Sequence, residues 1–332
     1  MTLKEFSRYI KTRNIKPVLT DNDFDSFGLA DNPVRQGKAV LIEDKSLKSR
    51  IVAIEQEKSG FSYFLDGIER KVVFNDRERF LPLIYGYVAA TIMKRTDKKL
   101  HTTGLEEKSE KIYLPVKTKN SPENYFEPDE YSSFGFEVHN TGKPDEITGE
   151  YPRFPKEFEA RAKSDIQETR GKIERELARK WLGLSNNESW LFVDGRLENK
   201  NRELISSSRI AGIIKSHHVY YFSPQEQNII FNLKKHERTS LFQPEAENVF
   251  SWYLRLHYTK NSGNLDFGIV RVEIPAKEEL IKYADIISNW IILETKPVAF
   301  PASRLDRMIY PIKYCEDYLR SKAPTKAAIE CM

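Results

Sequence analysis

Cysteine is nearly missing from this chain: Cys315 and Cys331 are the only two in 332 residues, and both lie near the C-terminus. Neither has a partner at a spacing used by zinc sites or disulfide frameworks, so both read as thiols without a mechanistic part. Long apolar runs are missing as well. No stretch approaches the ~20 consecutive apolar residues that cross a bilayer. The opening MTLKEFSRYIKTR lacks the apolar centre of a secretory signal. The expectation is a cytoplasmic protein that does not enter a membrane. There is no glycine-rich phosphate loop of the G-x-x-x-x-G-K-S/T or G-x-G-x-x-G type, and no G-x-S-x-G elbow. Nucleotide-driven and serine-hydrolase chemistries therefore have no support. Heptads, internal repeats and low-complexity tracts are absent too.

What is present is ordinary globular material. Hydrophobic residues make up 39% and aromatics 12%, enough for a sizeable core, while 31% charge keeps the surface wet. The length points to one large domain or two closely packed ones. A net charge of +4 permits a polyanionic partner without identifying one, because local clusters matter more than the total.

Read in order, residues 1–35 form an N-terminal arm with a short helix over Leu3 to Lys11, ahead of a single unit at 36–325. Strand-like runs follow at Lys38 to Asp44, Arg50 to Gln56 and Phe61 to Phe74, the last broken by Asp66-Gly67. Pro82 to Lys94 is an almost unbroken apolar run, as in a strand buried on both faces. Residues 96–153 are polar and read as an irregular insertion holding a strand or two. Pro155 then suits the first turn of a helix to about Leu182, in which Phe158, Ala162, Ile166, Ile173, Leu177 and Trp181 recur every three or four residues. A strand ending at Asp194, another over Arg209 to Ile214, a helix from Pro224, a hairpin at Phe250–Ile274 and two further helices (Lys277 to Glu294, Asp306 to Ser321) complete a mixed α/β order.

Three acidic positions stand out. Asp66 and Asp194 each close an apolar run and precede glycine. Such a pair is a turn signal first and a rim-placed carboxylate second. On the long helix, Glu174 falls beside the core-facing stripe while Glu176 points away from it. A carboxylate so placed needs a partner, either an arginine or lysine or a metal ion. Carboxylates converging from a strand, a helix and another strand would make a hard-oxygen site for Mg²⁺ or Mn²⁺. Lys215 ends its own apolar run, as a solvated strand end or as a cation for a phosphate. His217 and His218 are adjacent and on a strand face opposite ways. His257 and Glu273 read as structural or surface groups.

Together these pieces resemble the NurA nuclease family. The matching segments are LDG at Leu65–Gly67, KIERELA at Lys172–Ala178, FVDGRL at Phe192–Leu197, AGIIKS at Ala211–Ser216, RVEIP at Arg271–Pro275 and IYPI at Ile309–Ile312. The resemblance implies an α/β, ribonuclease H-like mixed-sheet core with flanking helices. It also implies a homodimer, Mn²⁺- or Mg²⁺-dependent cleavage of DNA, and partnership with a HerA-type hexameric ATPase in end processing or defence against foreign DNA. Carried over by motif, Asp66, Glu174 and Asp194 are metal-binding carboxylates, with Lys215 and Tyr310 as neighbouring catalytic residues. Two departures stand out: Ile68 occupies the usual serine position of the first motif, and Asp317-Tyr318 stands where a histidine often follows the Tyr-Pro pair. The rival expectation is a catalytically degenerate adaptor of the same fold, which binds DNA or the ATPase ring without cutting.

Overall fold

The computed structural model describes residues 16–17, 35–127, 136–184, 189–197, 202–206, 209–216, 218–258, 265–295 and 306–330. The helix expected over Leu3 to Lys11, His217 and Cys331 lie outside these residues.

Three long strands begin the core as an antiparallel meander: β1 (Phe61–Asp76), β2 (Leu81–Thr96) and β3 (Lys99–Leu114). The apolar run in β2 is buried from Leu81 through Met93, because it lies between two strands and beneath helices on both faces. β1 pairs with β2 from Tyr63↔Lys94 to Asp76↔Leu81 without a break. Asp66-Gly67 therefore stands in mid-strand, and the turn expected there is absent. The chain reverses instead after Asp76, whose Oδ1 accepts from the Glu78 and Arg79 N–H groups at 2.9 and 3.0 Å. β3 is the least expected strand. Its charged run carries little apolar signal, yet β2 supplies a ladder along almost its whole length. After β3 the described residues 115–127 are irregular apart from a bridge between Val116 and Phe126, and Glu137–Asn140 pairs in parallel with the end of β3.

Helix α1 (Pro155–Leu184) crosses β1, β2 and β3 and buries Phe158, Ala162, Ile166, Leu177, Ala178 and Trp181. Glu157 Oε2 accepts from the N–H groups of Arg153 and Phe154, which meets part of the donor excess at the helix start. β4 (Trp190–Asp194) then enters parallel to β1, with Leu65 opposite Val193. The short helix α2 (Arg202–Ser206) leads to β5 (Ile210–Ile214), parallel to β4. β6 (Val249–Arg255) and β7 (Ile269–Pro275) form the hairpin, and β7 runs antiparallel to β5. The resulting order is β6-β7-β5-β4-β1-β2-β3 within a sheet of 13 strands among the described residues. The short strands Phe242–Pro244 and Ala39–Leu41 extend it beyond β6.

Alternation along the strands sorts the core into layers. Leu65, Leu191 and Ile210 face α1. Phe64, Phe192 and Ile213 face the opposite layer, α3 (Ala284–Leu293) and α4 (Tyr310–Lys322), through Ile291, Ile312 and Cys315. The expected helix at Lys277 to Glu294 is divided into Glu278–Ile281 and α3.

Candidate functional site

The site lies where β1 and β4 part. Their parallel register ends at Leu65↔Val193, so Asp66 and Asp194 follow as neighbours on adjacent strands, on the face turned towards α4. Lys215, two residues beyond Ile213, shares that face. Its Nζ lies 2.9 Å from both carboxylate oxygens of Asp194. Gly195, with φ 119°, allows the chain to turn immediately after Asp194. The same Asp-Gly pair thus makes a turn at 194–195 and continues as strand at 66–67.

Glu174 reaches the site from the other layer. Its Oε1 stands directly over Gly67: a Cβ at that position would collide with it and lie 3.2 Å from Arg170 Cγ. Gly67, having no side chain, thus lets Glu174 of the α1 layer lie close against the β1 backbone one residue from Asp66. Arg170 Nε holds Glu174 Oε1 at 3.3 Å and its Nη1 lies 3.7 Å from Glu69. Glu176 faces away, 49% exposed in its side chain against 18% for Glu174, and pairs with Arg179. Tyr310 is 47% exposed at the first position of α4, its backbone N–H bonded to Glu294 O. Of the five expected residues, Asp66, Asp194 and Lys215 share one face, Glu174 lies over Gly67 on the α1 face, and Tyr310 stands at the rim of α4.

The electrostatics follow from this crowding. Burial pushes the Asp66 carboxyl well above the usual carboxylate range, the Asp194 charge adds to this, Lys215 opposes it, and Glu174 raises it further. Burial alone would lower the Lys215 ammonium, but the charges of Asp194 and Asp66 outweigh it and hold its pKa above the ordinary value. One residue missed in the sequence also acts on Lys215. Glu316, one helical turn on from Ile312 and beside the buried Cys315, adds to the negative field around it. Despite its own burial, Glu316 is held low by Arg320 and Lys313. The face argument that singled out Glu174 would have found it. Cys315, beneath Asp66, has its thiol pushed up by burial and then by the Asp66 charge, which agrees with a group that does no chemistry. Glu273 is fully buried, paired with Arg271 at 2.8 Å, and accepts from the Leu197 N–H at 2.8 Å. It thereby holds the loop that follows Asp194.

A cavity of about 230 Å³ opens on the α1 side, floored by Leu65, Val193 and Ile210 and edged by Arg170, Arg175 and Arg196; Glu174 and Asp194 both line it. The donor set is hard oxygen, the type that Mg²⁺ and Mn²⁺ take. As arranged, Lys215 covers Asp194 and Arg170 covers Glu174. Among the described residues no group of three or more His, Cys, Asp or Glu side chains is placed to hold a metal ion.

The close approach at Gly67 makes a direct prediction. Gly67→Ala should displace the flexible end of Glu174 rather than the strand, leaving the melting temperature within about 3 °C of wild type. On the nuclease expectation raised by the motifs, DNA cleavage should fall at least about tenfold, as for a misplaced active-site group. A melting curve and a cleavage assay on the same preparation check it, and unchanged cleavage would remove Glu174 from the site.

No protein-family model matches the chain, and no curated protein matches it. Among solved structures, the chain is similar to the NurA nuclease from Sulfolobus solfataricus, with 10% identity over 96% of this chain and 92% of that one, at a TM-score of 0.36. A likeness this loose carries no argument about activity, which has to rest on the residues themselves.

Proposed function

We propose that this chain is a divalent-metal-dependent deoxyribonuclease built on a ribonuclease H-like core. The observation that carries the reading is the meeting of Asp66, Asp194 and Lys215 from three strands on one face, with Glu174 close over Gly67 on the other face and its charge acting on Asp66. The strand order β3-β2-β1-β4-β5, with α1 before β4 and α2 before β5, supports the ribonuclease H-like description.

Asp66 and Asp194, with Glu174 beside them, would hold Mn²⁺ or Mg²⁺, which when bound would activate water and share the charge of the phosphodiester. Lys215, protonated throughout the neutral range, offsets charge on the phosphate side of Asp194. Arg170, Arg175 and Arg196 edge the cavity next to these carboxylates and give the backbone of a bound strand a cationic border. The homodimer, the HerA-type hexameric ATPase as partner and a role in DNA end processing or defence follow from the family resemblance of the motifs and are proposed on that ground.

A second reading has its own observation. Lys215 and Arg170 already neutralise two of the carboxylates, as in an adaptor of the same fold that binds DNA or an ATPase ring without cutting. Incubation of the purified chain with linear duplex and single-stranded DNA in Mn²⁺, with and without EDTA, separates the two. The nuclease reading expects fragments that EDTA abolishes. Salt-sensitive binding with intact DNA in both arms would replace it with the adaptor.

A further inference from the structure

We infer that Arg307 is a positioning residue for Lys215, fixing the backbone from which the lysine reaches Asp194. The kinetic consequence rests on the nuclease reading; the structural consequence does not.

The β5–β7 ladder ends at Ile214↔Arg271. Beyond it, the carbonyl of Lys215 needs a donor that the ladder no longer supplies. Arg307 Nη1 donates to that carbonyl. One further arm of the guanidinium is braced: Nη2 donates to Asp266 O at 2.7 Å and lies 2.7 Å from Asp266 Oδ2, while Nε makes no hydrogen bond and stands 3.5 Å from the Asp306 Oδ2 charge. Asp306 is itself fixed, since its Oδ2 accepts from the Gly268 N–H at 2.6 Å. The turn at Gly268 has little freedom. Its φ is +68°, and a Cβ there would collide with the His257 carbonyl. Arg307 is therefore a planar fork anchored on a rigid turn, with one arm on the residue whose side chain faces Asp194. The same residue immediately precedes the segment that begins α4, so one side chain couples the end of β5 to the helix carrying Glu316 and Tyr310.

A lysine has four side-chain torsions, and its ammonium stays over one carboxylate only while its Cα is held. Loss of the brace should therefore act on the reacting geometry through Lys215 rather than on DNA affinity. Arg307→Ala is expected to lower kcat about thirtyfold with KM within about twofold. Lys215→Ala should lower it about a hundredfold, and the double variant no further than Lys215→Ala alone, as for residues acting through one another. Added guanidinium should restore part of the activity of Arg307→Ala and none of that of Lys215→Ala. Losses that multiply, or a rise in KM in place of the fall in kcat, would overturn the inference.

Amide hydrogen exchange reads the same link without catalysis. Residues 213–216 should exchange at least about tenfold faster in Arg307→Ala while the β1–β2 hairpin keeps its protection; unchanged protection at 213–216 overturns the inference. If Arg307→Ala does not fold, Arg307→Lys retains one donor and should lie between wild type and Lys215→Ala in kcat. A wild-type chain that cuts no DNA would end the nuclease reading and leave the exchange measurement to decide the place of Arg307.

Discussion

On the nuclease reading, Asp66→Asn should lose DNA cleavage by about 10³-fold or more, and in the same protein become more stable than wild type as the pH rises. Asparagine matches the shape of the acid and removes its charge. In the folded chain burial, Asp194 and Glu174 all disfavour the ionised form, so the folded pKa of Asp66 lies above its unfolded value. The sign follows from linkage: a group with a raised folded pKa contributes stability below its unfolded pKa and loses it as the pH climbs through the folded one. Wild type and Asp66→Asn should therefore melt alike near pH 4. The variant should pull ahead as Asp66 ionises in the wild type, by about 1–2 kcal/mol, in the manner of active-site groups that cost stability. Thermal melts at several pH values between 4 and 9, next to a cleavage assay, test both halves. A variant that melts lower than wild type at alkaline pH would show that Asp66 is held as a structural anion and would end its assignment to the site.

Arg238→Ala should have the largest effect on stability, about 3–5 kcal/mol, the range for breaking a buried charge network from one side. Arg238 is 1% exposed and holds three acceptors: Glu43 at 2.8 and 2.9 Å, Asp285 at 2.6 Å and the Thr239 carbonyl at 2.9 Å. It joins the strand Ser49–Ile51, which pairs with Glu237–Thr239, to β6 and to the start of α3. Truncation leaves Glu43 half-buried without the guanidinium that, against the cost of burial, holds its pKa low. Asp285 is largely exposed and loses little. The double variant Arg238→Met, Glu43→Leu should recover part of the loss, since it removes the charge pair but leaves the buried Leu241 N–H without its Glu43 acceptor at 3.1 Å. Chemical denaturation of the two variants checks this. A single variant that falls by less than about 1 kcal/mol would mean that water replaces the arginine at no great cost. On the nuclease reading, folded Arg238→Ala should keep the activity of wild type, since no residue of this network lines the site.

Much of the frame was legible in the sequence because it depends on neighbours along the chain. Pro155 and the spacing from Phe158 to Trp181 gave α1, and the apolar run after Pro82 gave β2. The face of Glu174 followed from helical geometry. What escaped depends on distant partners. The dipeptide Asp-Gly is a local turn signal, and at 194–195, where β4 ends, the chain obeys it. At 66–67 a ladder to β2 overrides it, and the glycine serves to admit Glu174 instead of to bend the chain. β3 escaped because its residues are mostly polar or charged, and only pairing with β2 makes it a strand. Glu316 and Arg307 escaped because their importance lies in Lys215, about ninety residues earlier in the chain. The identity of any bound ion and of any protein partner is written in no local pattern and came solely from the ordered set of motifs.

The sheet order also carries a consequence for synthesis. β1 is made early and its antiparallel partner β2, itself paired with β3, follows directly, but its parallel neighbour β4 arrives only after α1. A nascent chain that has completed the meander holds Asp66 without Asp194 beside it and without Lys215. Such long-range parallel pairing forms late and slowly. On the proposed reading the polypeptide cannot damage DNA while it is still short, because the last of its charged strand ends leaves the ribosome only with residue 215.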